Sequence, residues 1–240
     1  MQSSVAIGLP FAPNNPNLTF IFFIALTLLA VLGLRFSYYA YRNRGASELG
    51  SNRRLWEYLV VGGLLAVGFA LLGLVEVLTV FALPFKMAFL LAHVFVLAVT
   101  LRLLYRSVVP AEDEATTEYR LTQAAVAAVA GVFVGLLLVG RHPVVVALFG
   151  LSALAFVLAG VSYGRRGAAE ARVQGTVVDT LLRHLLPVLL FAAMVPLTDL
   201  AVLVGLDRVI VLHIQVVFVI MTATTLMTAT IKLRQNLASL

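Results

Sequence analysis

The sequence contains no cysteine, which excludes disulfides, thiolate metal sites and thiol nucleophiles. Charged residues are also scarce, at 12% of 240 residues, whereas 62% of the residues are hydrophobic and the mean hydropathy is +1.04. A soluble domain of this size could not bury so much apolar surface. The composition therefore predicts a multi-pass integral membrane protein, placed in the cell membrane and surrounded by lipid.

The N-terminal 17 residues lack any basic residue but carry Pro10, Pro13 and Pro16. A secretory signal peptide begins with a positively charged region, which is missing here. We expect these residues to form a short extended approach to the first helix.

Seven segments are apolar over the roughly 20 residues that a helix needs to cross a bilayer. They lack the alternation of barrel strands, and backbone groups in lipid must be satisfied internally, so we predict an all-α bundle of seven transmembrane helices. The whole chain, 1–240, forms one transmembrane domain in this prediction. The predicted spans are Leu18 to Tyr41, Leu55 to Val80, Pro84 to Tyr105, Leu121 to Val139, Val144 to Tyr163, Val177 to Leu203, and Val209 to Leu233.

Basic residues predict the orientation of the bundle, because cytoplasmic loops carry an excess of lysine and arginine. The loops on the other side contain only Lys86, Arg141 and Arg208. The N-terminus is therefore expected outside and the C-terminus inside. The net charge of +6 arises from short clusters between apolar runs, which favours contact with membrane lipids and no nucleic-acid partner. The clustered residues are Arg42, Arg44, Arg53, Arg54, Arg102, Arg106, Arg120, Arg165, Arg166, Arg172, Lys232 and Arg234.

An internal repeat is the most informative pattern in the sequence, at an offset of about 122 residues. It predicts a first three-helix unit at 18–108, a connector helix at 121–139 and a second three-helix unit at 144–235, in parallel topology. The alternative is that similar charges recur because both loops are cytoplasmic. The matches place Tyr41, Arg44, Gly45, Ala46 and Glu48 over Tyr163, Arg166, Gly167, Ala168 and Glu170, and Lys86 over Arg208.

Two carboxylates lie in otherwise apolar spans, Glu76 in the second and Asp199 in the sixth. Charged groups are costly in hydrocarbon, so both side chains should face the bundle interior, water or a cation. Lys86 and Arg208 in the adjoining turns are natural partners. The carboxylates then either form ion pairs that anchor loops or line the outer mouth of a pathway.

Histidines His93 and His213 occupy corresponding spans at comparable depth. Facing imidazoles could hold the iron of haem b, or could bind a divalent metal together with Glu76 and Asp199. The alternative is that each histidine is bonded to a backbone carbonyl, since the closely spaced ligand motif of a strong metal site is missing.

Further pathway candidates are polar side chains and helix-weakening prolines. Thr100, Thr222, Thr225 and Gln215 could present polar groups near the midplane, although threonine hydroxyls also bond back to their own helix. The prolines of the sixth span could kink it and free carbonyls. They are Pro187 and Pro196.

Seven helices of this length with such a repeat resemble, in outline, microbial rhodopsins and the small SWEET sugar carriers. Retinal is not expected, because Lys232 lies at the end of the last span and a Schiff-base lysine belongs at its middle. The carriers' proline-glutamine motif and the motifs of membrane enzymes are also missing, so we do not expect an enzyme. Three hypotheses remain: a small transporter or channel between the two units, a haem- or metal-binding redox or sensory subunit, and a receptor-like signalling module. The sequence leaves open a homo-oligomer or a membrane-complex partner.

Overall fold

The computed structural model describes residues 15–46, 53–79, 81–83, 85–107, 129–131, 134–135, 142–169 and 177–238. Six of the seven predicted spans are long helices, each apolar and long enough to cross a membrane. The fourth predicted span, Leu121 to Val139, lies outside the described residues except for 129–131 and 134–135, which are helical. The long helices are α1 (Pro16–Ala46), α2 (Arg53–Leu78), α3 (Lys86–Arg106), α4 (Pro143–Ala169), α5 (Val177–Leu203) and α6 (Arg208–Ala238).

The six helices form a closed ring in chain order. Each helix contacts the next, α6 returns to contact α1, and α3 also contacts α5. Side-chain contacts near the helix ends show that α1 and α6 are parallel, because Asn43 bonds to Asn236. They show the same for α3 and α4, because the rings of Tyr105 and Tyr163 lie 5.7 Å apart.

Apolar side chains cover both faces of these helices. The inward faces form one continuous core that includes Phe36, Leu91 and Leu185. Large side chains on the outside are also apolar, including Leu71 and Leu158, which are 51% and 61% exposed. A surface of this kind suits lipid and not water, so the fold is that of a polytopic membrane protein.

Glycines set the spacing of neighbouring helices. In the α1–α2 contact Gly33 and Gly63 approach so closely that a Cβ on Gly63 would lie 3.0 Å from the carbonyl oxygen of Gly33. In the α4–α5 contact the glycines of α4 instead accommodate leucine side chains of α5, as Gly164 does for Leu186. Small residues permit both kinds of close packing in a membrane, where dispersion forces drive helix association.

One pair of helix starts agrees with the predicted repeat offset of about 122 residues. Helix α3 begins at Lys86 and α6 begins at Arg208, positions that differ by 122 residues. The six contacts of the ring also correspond in pairs under this offset: α1–α2 to α4–α5, α2–α3 to α5–α6, and α3–α4 to α6–α1. This arrangement is compatible with duplication, and the repeat stays a prediction.

Candidate functional site

The bundle has two chemically different ends. At what we call the basic end, α1, α3, α4 and α6 finish while α2 and α5 begin, and arginines such as Arg42 and Arg165 are exposed there. At the opposite end, α3, α4 and α6 begin while α2 and α5 finish. The predicted carboxylates lie near this opposite end, together with Lys86 and Arg208.

Glu76 and Lys86 form an ion pair at the opposite end. Glu76 lies in the last turn of α2, and Lys86 is the first residue of α3, so the short connection between these helices brings the two groups together. Their side chains are only 16% and 8% exposed. Pairing is what makes such burial tolerable, because one of these charges alone would carry the full cost of desolvation.

Asp199 is held by an amide from the neighbouring helix. The Nε2 of Gln215 on α6 donates to Oδ1 of Asp199 on α5 at 2.9 Å and to the carbonyl oxygen of Val195 at 3.1 Å. Gln215 and Asp199 are each 6% exposed. Both hydrogens of the Gln215 amide nitrogen are thus used in hydrogen bonds. Gln215, which the sequence analysis expected near the midplane, lies beside Asp199.

Arg208 lies between two cavities. An open cavity of about 660 Å³ between α4, α5 and α6 is lined by Asp199 and Arg208 among apolar residues such as Val144 and Val202. A small space of about 20 Å³ inside the ring is lined by Lys86, Arg208 and Gln215 and otherwise by apolar side chains. The inner space is large enough for about one water molecule.

The two candidate histidine ligands have different surroundings. His93 is 1% exposed, and its Nδ1 donates to the carbonyl oxygen of Gly62 at 2.7 Å. Within the described residues its Nε2 is buried without a hydrogen-bond partner. His213 is exposed, and its Nδ1 donates to the carbonyl oxygen of Val209 on its own helix at 2.7 Å.

Metal-binding clusters are missing from the described part of the chain: no three histidine, aspartate or glutamate residues there come close enough to hold an ion. The pair His93 and His213 would therefore need further ligands or a haem iron to form a site. Binding of haem or a divalent metal at these residues stays a prediction.

The threonines that could line a pathway are bonded to their own helices. Thr100 and Thr222 are 0% and 2% exposed, and each hydroxyl donates at 2.7 Å to the carbonyl oxygen four residues earlier. Thr225 does the same at 2.8 Å and is less buried. Helix α5 continues past both Pro187 and Pro196. The three hydroxyls are thus engaged within their own helices, whereas Pro196 lies one turn before Asp199 on α5.

Sequence reasoning missed a buried amide at the basic end. Asn43 is 0% exposed, and its Nδ2 donates to the carbonyl oxygens of Tyr39 at 2.8 Å and Leu233 at 2.9 Å. Its Oδ1 accepts from Asn236 at 2.7 Å. A lone asparagine close to a predicted loop gives no signal of this role, because its partners on α6 lie 190 residues or more away.

Comparison with known proteins found no matching family model, no matching curated protein and no matching solved structure.

Proposed function

We propose that the protein is a small membrane transporter or channel that passes a small solute or ion between its two three-helix units. The observation that carries this proposal is the cluster at the opposite end. Glu76 and Lys86 come from the first unit, while Asp199, Arg208 and Gln215 come from the second. Charged side chains inside a membrane bundle are costly and commonly mark ion or substrate pathways.

The cluster is placed where a pathway between the units would pass. Lys86, Arg208 and Gln215 line the same space inside the ring, although they lie on helices of different units. Loop anchoring alone would be served by ion pairs at the water surface and would not require near-complete burial of Lys86 and Asp199. A role in the pathway accounts for both the burial and the convergence.

The basic end has the features of a membrane interface. The described tyrosines all lie in the end turns of α1, α3 and α4 or the start of α2, where amphipathic rings belong at the headgroup level. With the exposed arginines, they support a cytoplasmic basic end and an outer cluster. The tyrosines are Tyr38, Tyr39, Tyr41, Tyr58, Tyr105 and Tyr163.

A seventh crossing is part of this proposal, and the directions of α3 and α4 support it. The parallel contact between them means that α3 finishes at the basic end and α4 begins at the opposite end. A connector helix at 121–139, as the sequence predicts, would join these two ends. Seven crossings would place the N-terminus outside and the C-terminus inside.

The packed interior corresponds to a closed conformation. The inner space of about 20 Å³ holds no more than a water-sized particle. The open cavity of about 660 Å³ reaches Asp199 from the side and provides a vestibule for a solute. Transport then requires movement of α5 or α6, whose Asp199 and Gln215 separate the two spaces.

Reconstitution into liposomes tests the proposal. We expect the wild-type protein to raise the permeability to at least one of three probes: potassium chloride, urea and glycerol. Gln215→Leu should alter that permeability, whereas Arg165→Gln, at an exposed position of the basic end, should not. Liposomes that contain folded protein and remain as tight as protein-free liposomes to all three probes would contradict the proposal.

A haem- or metal-binding subunit is the second candidate, and the buried, unpartnered Nε2 of His93 in the described structure favours it. An absorption spectrum of the purified protein, oxidised and reduced, with a metal analysis, tests this candidate. A Soret band or a stoichiometric metal that His93→Ala removes would support it. A colourless, metal-free protein would exclude it.

A further inference from the structure

Among the described residues, the charged side chains that line the inner space of the ring are all cationic. Lys86 and Arg208 contribute two cationic side chains to its wall, and no carboxylate is among the described residues that line it. The remaining wall is apolar except for Gln215. A cation in this space would be repelled by both side chains, whereas an anion would be attracted in a medium of low dielectric constant.

The helix directions add to this preference. Lys86 and Arg208 are the first residues of α3 and α6, which are 21 and 31 residues long. The N-terminus of a helix carries a partial positive charge, because its first amide groups have no partners within the helix. At α6 this charge is offset by Asp207, whose Oδ1 accepts from the N–H of Val209 at 2.7 Å, so the α3 end adds more to the preference.

The two carboxylates flank this space and balance its charge in the closed conformation. Glu76 is paired with Lys86, and Asp199 lines the open cavity beside Arg208 while it accepts from Gln215. Each carboxylate is an anion attached to the chain. A diffusible anion of small size would offer Lys86, Arg208 and the Gln215 amide the same type of acceptor.

From this geometry we infer that the transported solute is a small inorganic anion, which binds between Lys86 and Arg208. The inference rests on the proposed transport function and specifies its substrate class. The anion enters through the open cavity, replaces Asp199 as the acceptor of Gln215 Nε2, and then reaches the inner space past Arg208. Glu76 competes with it for Lys86, so the two carboxylates set the affinity of the site.

Chloride is the probe for this inference. In proteoliposomes with a chloride gradient, the wild-type protein should release chloride with valinomycin-carried potassium as the counter-ion, and release no potassium when valinomycin is absent. In detergent, chloride in place of gluconate at constant ionic strength should raise the Tm of the wild-type protein. Lys86→Met should reduce both effects by about tenfold or more, because the site loses a buried cation.

Glu76→Gln provides a second variant whose effect has the opposite sign. With the competing carboxylate neutralised, chloride should raise the Tm of this variant more than it raises that of the wild type. Glu57→Gln is the matched control, because Glu57 is 46% exposed and pairs with Arg44 and Arg53 at the basic end. Its response to chloride should equal that of the wild type.

The outcomes separate the inference from the function on which it rests. Permeation of potassium or urea without chloride, and no chloride effect on Tm, would retain transport and overturn the anion site. A Lys86-dependent rise in Tm without flux of any probe would retain the anion site and overturn transport. No flux of any probe and no effect of chloride would overturn both.

Discussion

The two predicted three-helix units hold their carboxylates differently at the opposite end. In the first unit Glu76 is paired with a buried lysine, whereas in the second unit Asp199 accepts from the amide of Gln215 and Arg208 is exposed at the surface. The first unit thus keeps both members of its ion pair inside the protein, whereas in the second unit the buried Asp199 and the exposed Arg208 both line an open cavity. In the proposed pathway, the α2–α3 side would close the inner space and the α5–α6 side would give access to it.

The same contrast appears in the packing of each unit. The α1–α2 contact brings two glycine backbones together, while the α4–α5 contact places leucine side chains of α5 against glycines of α4. Backbone contacts cannot adjust, but the end of a leucine side chain can change rotamer. The leucine contacts of α4 with α5 should therefore rearrange at lower cost than the Gly33–Gly63 contact, as should the contact of Leu26 on α1 with Gly73 on α2.

The largest difference between the units should appear on removal of their equivalent cations. Lys86→Met leaves Glu76 buried without its partner, which should cost about 3–5 kcal/mol of unfolding free energy. Arg208→Met removes an exposed charge and should cost about 1 kcal/mol or less. Thermal unfolding of both variants in detergent measures the two effects. Equal losses of stability would show that the units do not differ in this respect.

A double variant is the control for this comparison. In Glu76→Gln/Lys86→Met both charges of the pair are absent, so most of the stability lost in Lys86→Met should return. If the double variant is as unstable as the single one, the loss arises from packing around Lys86 and not from the unpaired carboxylate.

Alanine at the close helix contacts should give an intermediate difference. In Gly63→Ala the new methyl group meets Ser37 and the Gly33 carbonyl oxygen, so we expect a loss of about 1–3 kcal/mol. In Gly164→Ala the methyl group meets Cδ1 of Leu186 at 2.6 Å, which a rotamer change relieves, and helix propensity returns about 1 kcal/mol. Unfolding midpoints of both variants should therefore rank Gly63→Ala well below Gly164→Ala. The reverse order would place the rigid contact in the second unit.

The smallest effect is expected where the units are alike. Thr100 and Thr222 are 122 residues apart, both are buried, and both donate to their own helix. Valine at either position keeps the volume and removes only a local bond, so each variant should lose about 0.5 kcal/mol or less. Chloride or urea flux through the two variants should match that of the wild type. A change of flux in Thr222→Val alone would indicate that the Thr222 hydroxyl takes part in the pathway.

The described helices could be predicted well from the sequence, because length and hydropathy alone determine whether a segment can cross a bilayer. The sixth predicted span has the same bounds as α5, and the first begins within two residues of α1, at Leu18 instead of Pro16. Helix α6 extends past its predicted end at Leu233 to Ala238, since polar residues can continue a helix outside the lipid.

The site was predicted only in part. The pair Glu76 and Lys86 could be anticipated, because a short connection between adjacent helices forces their ends together. The bond from Gln215 to Asp199 could not, because it depends on how α5 and α6 rotate about their axes, which hydropathy does not determine. The same holds for His93 and His213, whose equal depth in the sequence says nothing about which way each ring faces.

The contact of Asn43 with α6 has a consequence for the order of assembly. Helix α1 enters the membrane early in synthesis, but the groups that Asn43 bonds on α6 follow it by 190 residues or more. Until α6 arrives, this amide has only its bond to Tyr39 within α1. The contact between α1 and α6 can therefore form only after α6 has been synthesised. A chain truncated before α6 would expose the polar side chain of Asn43 on its first helix, which the complete bundle buries.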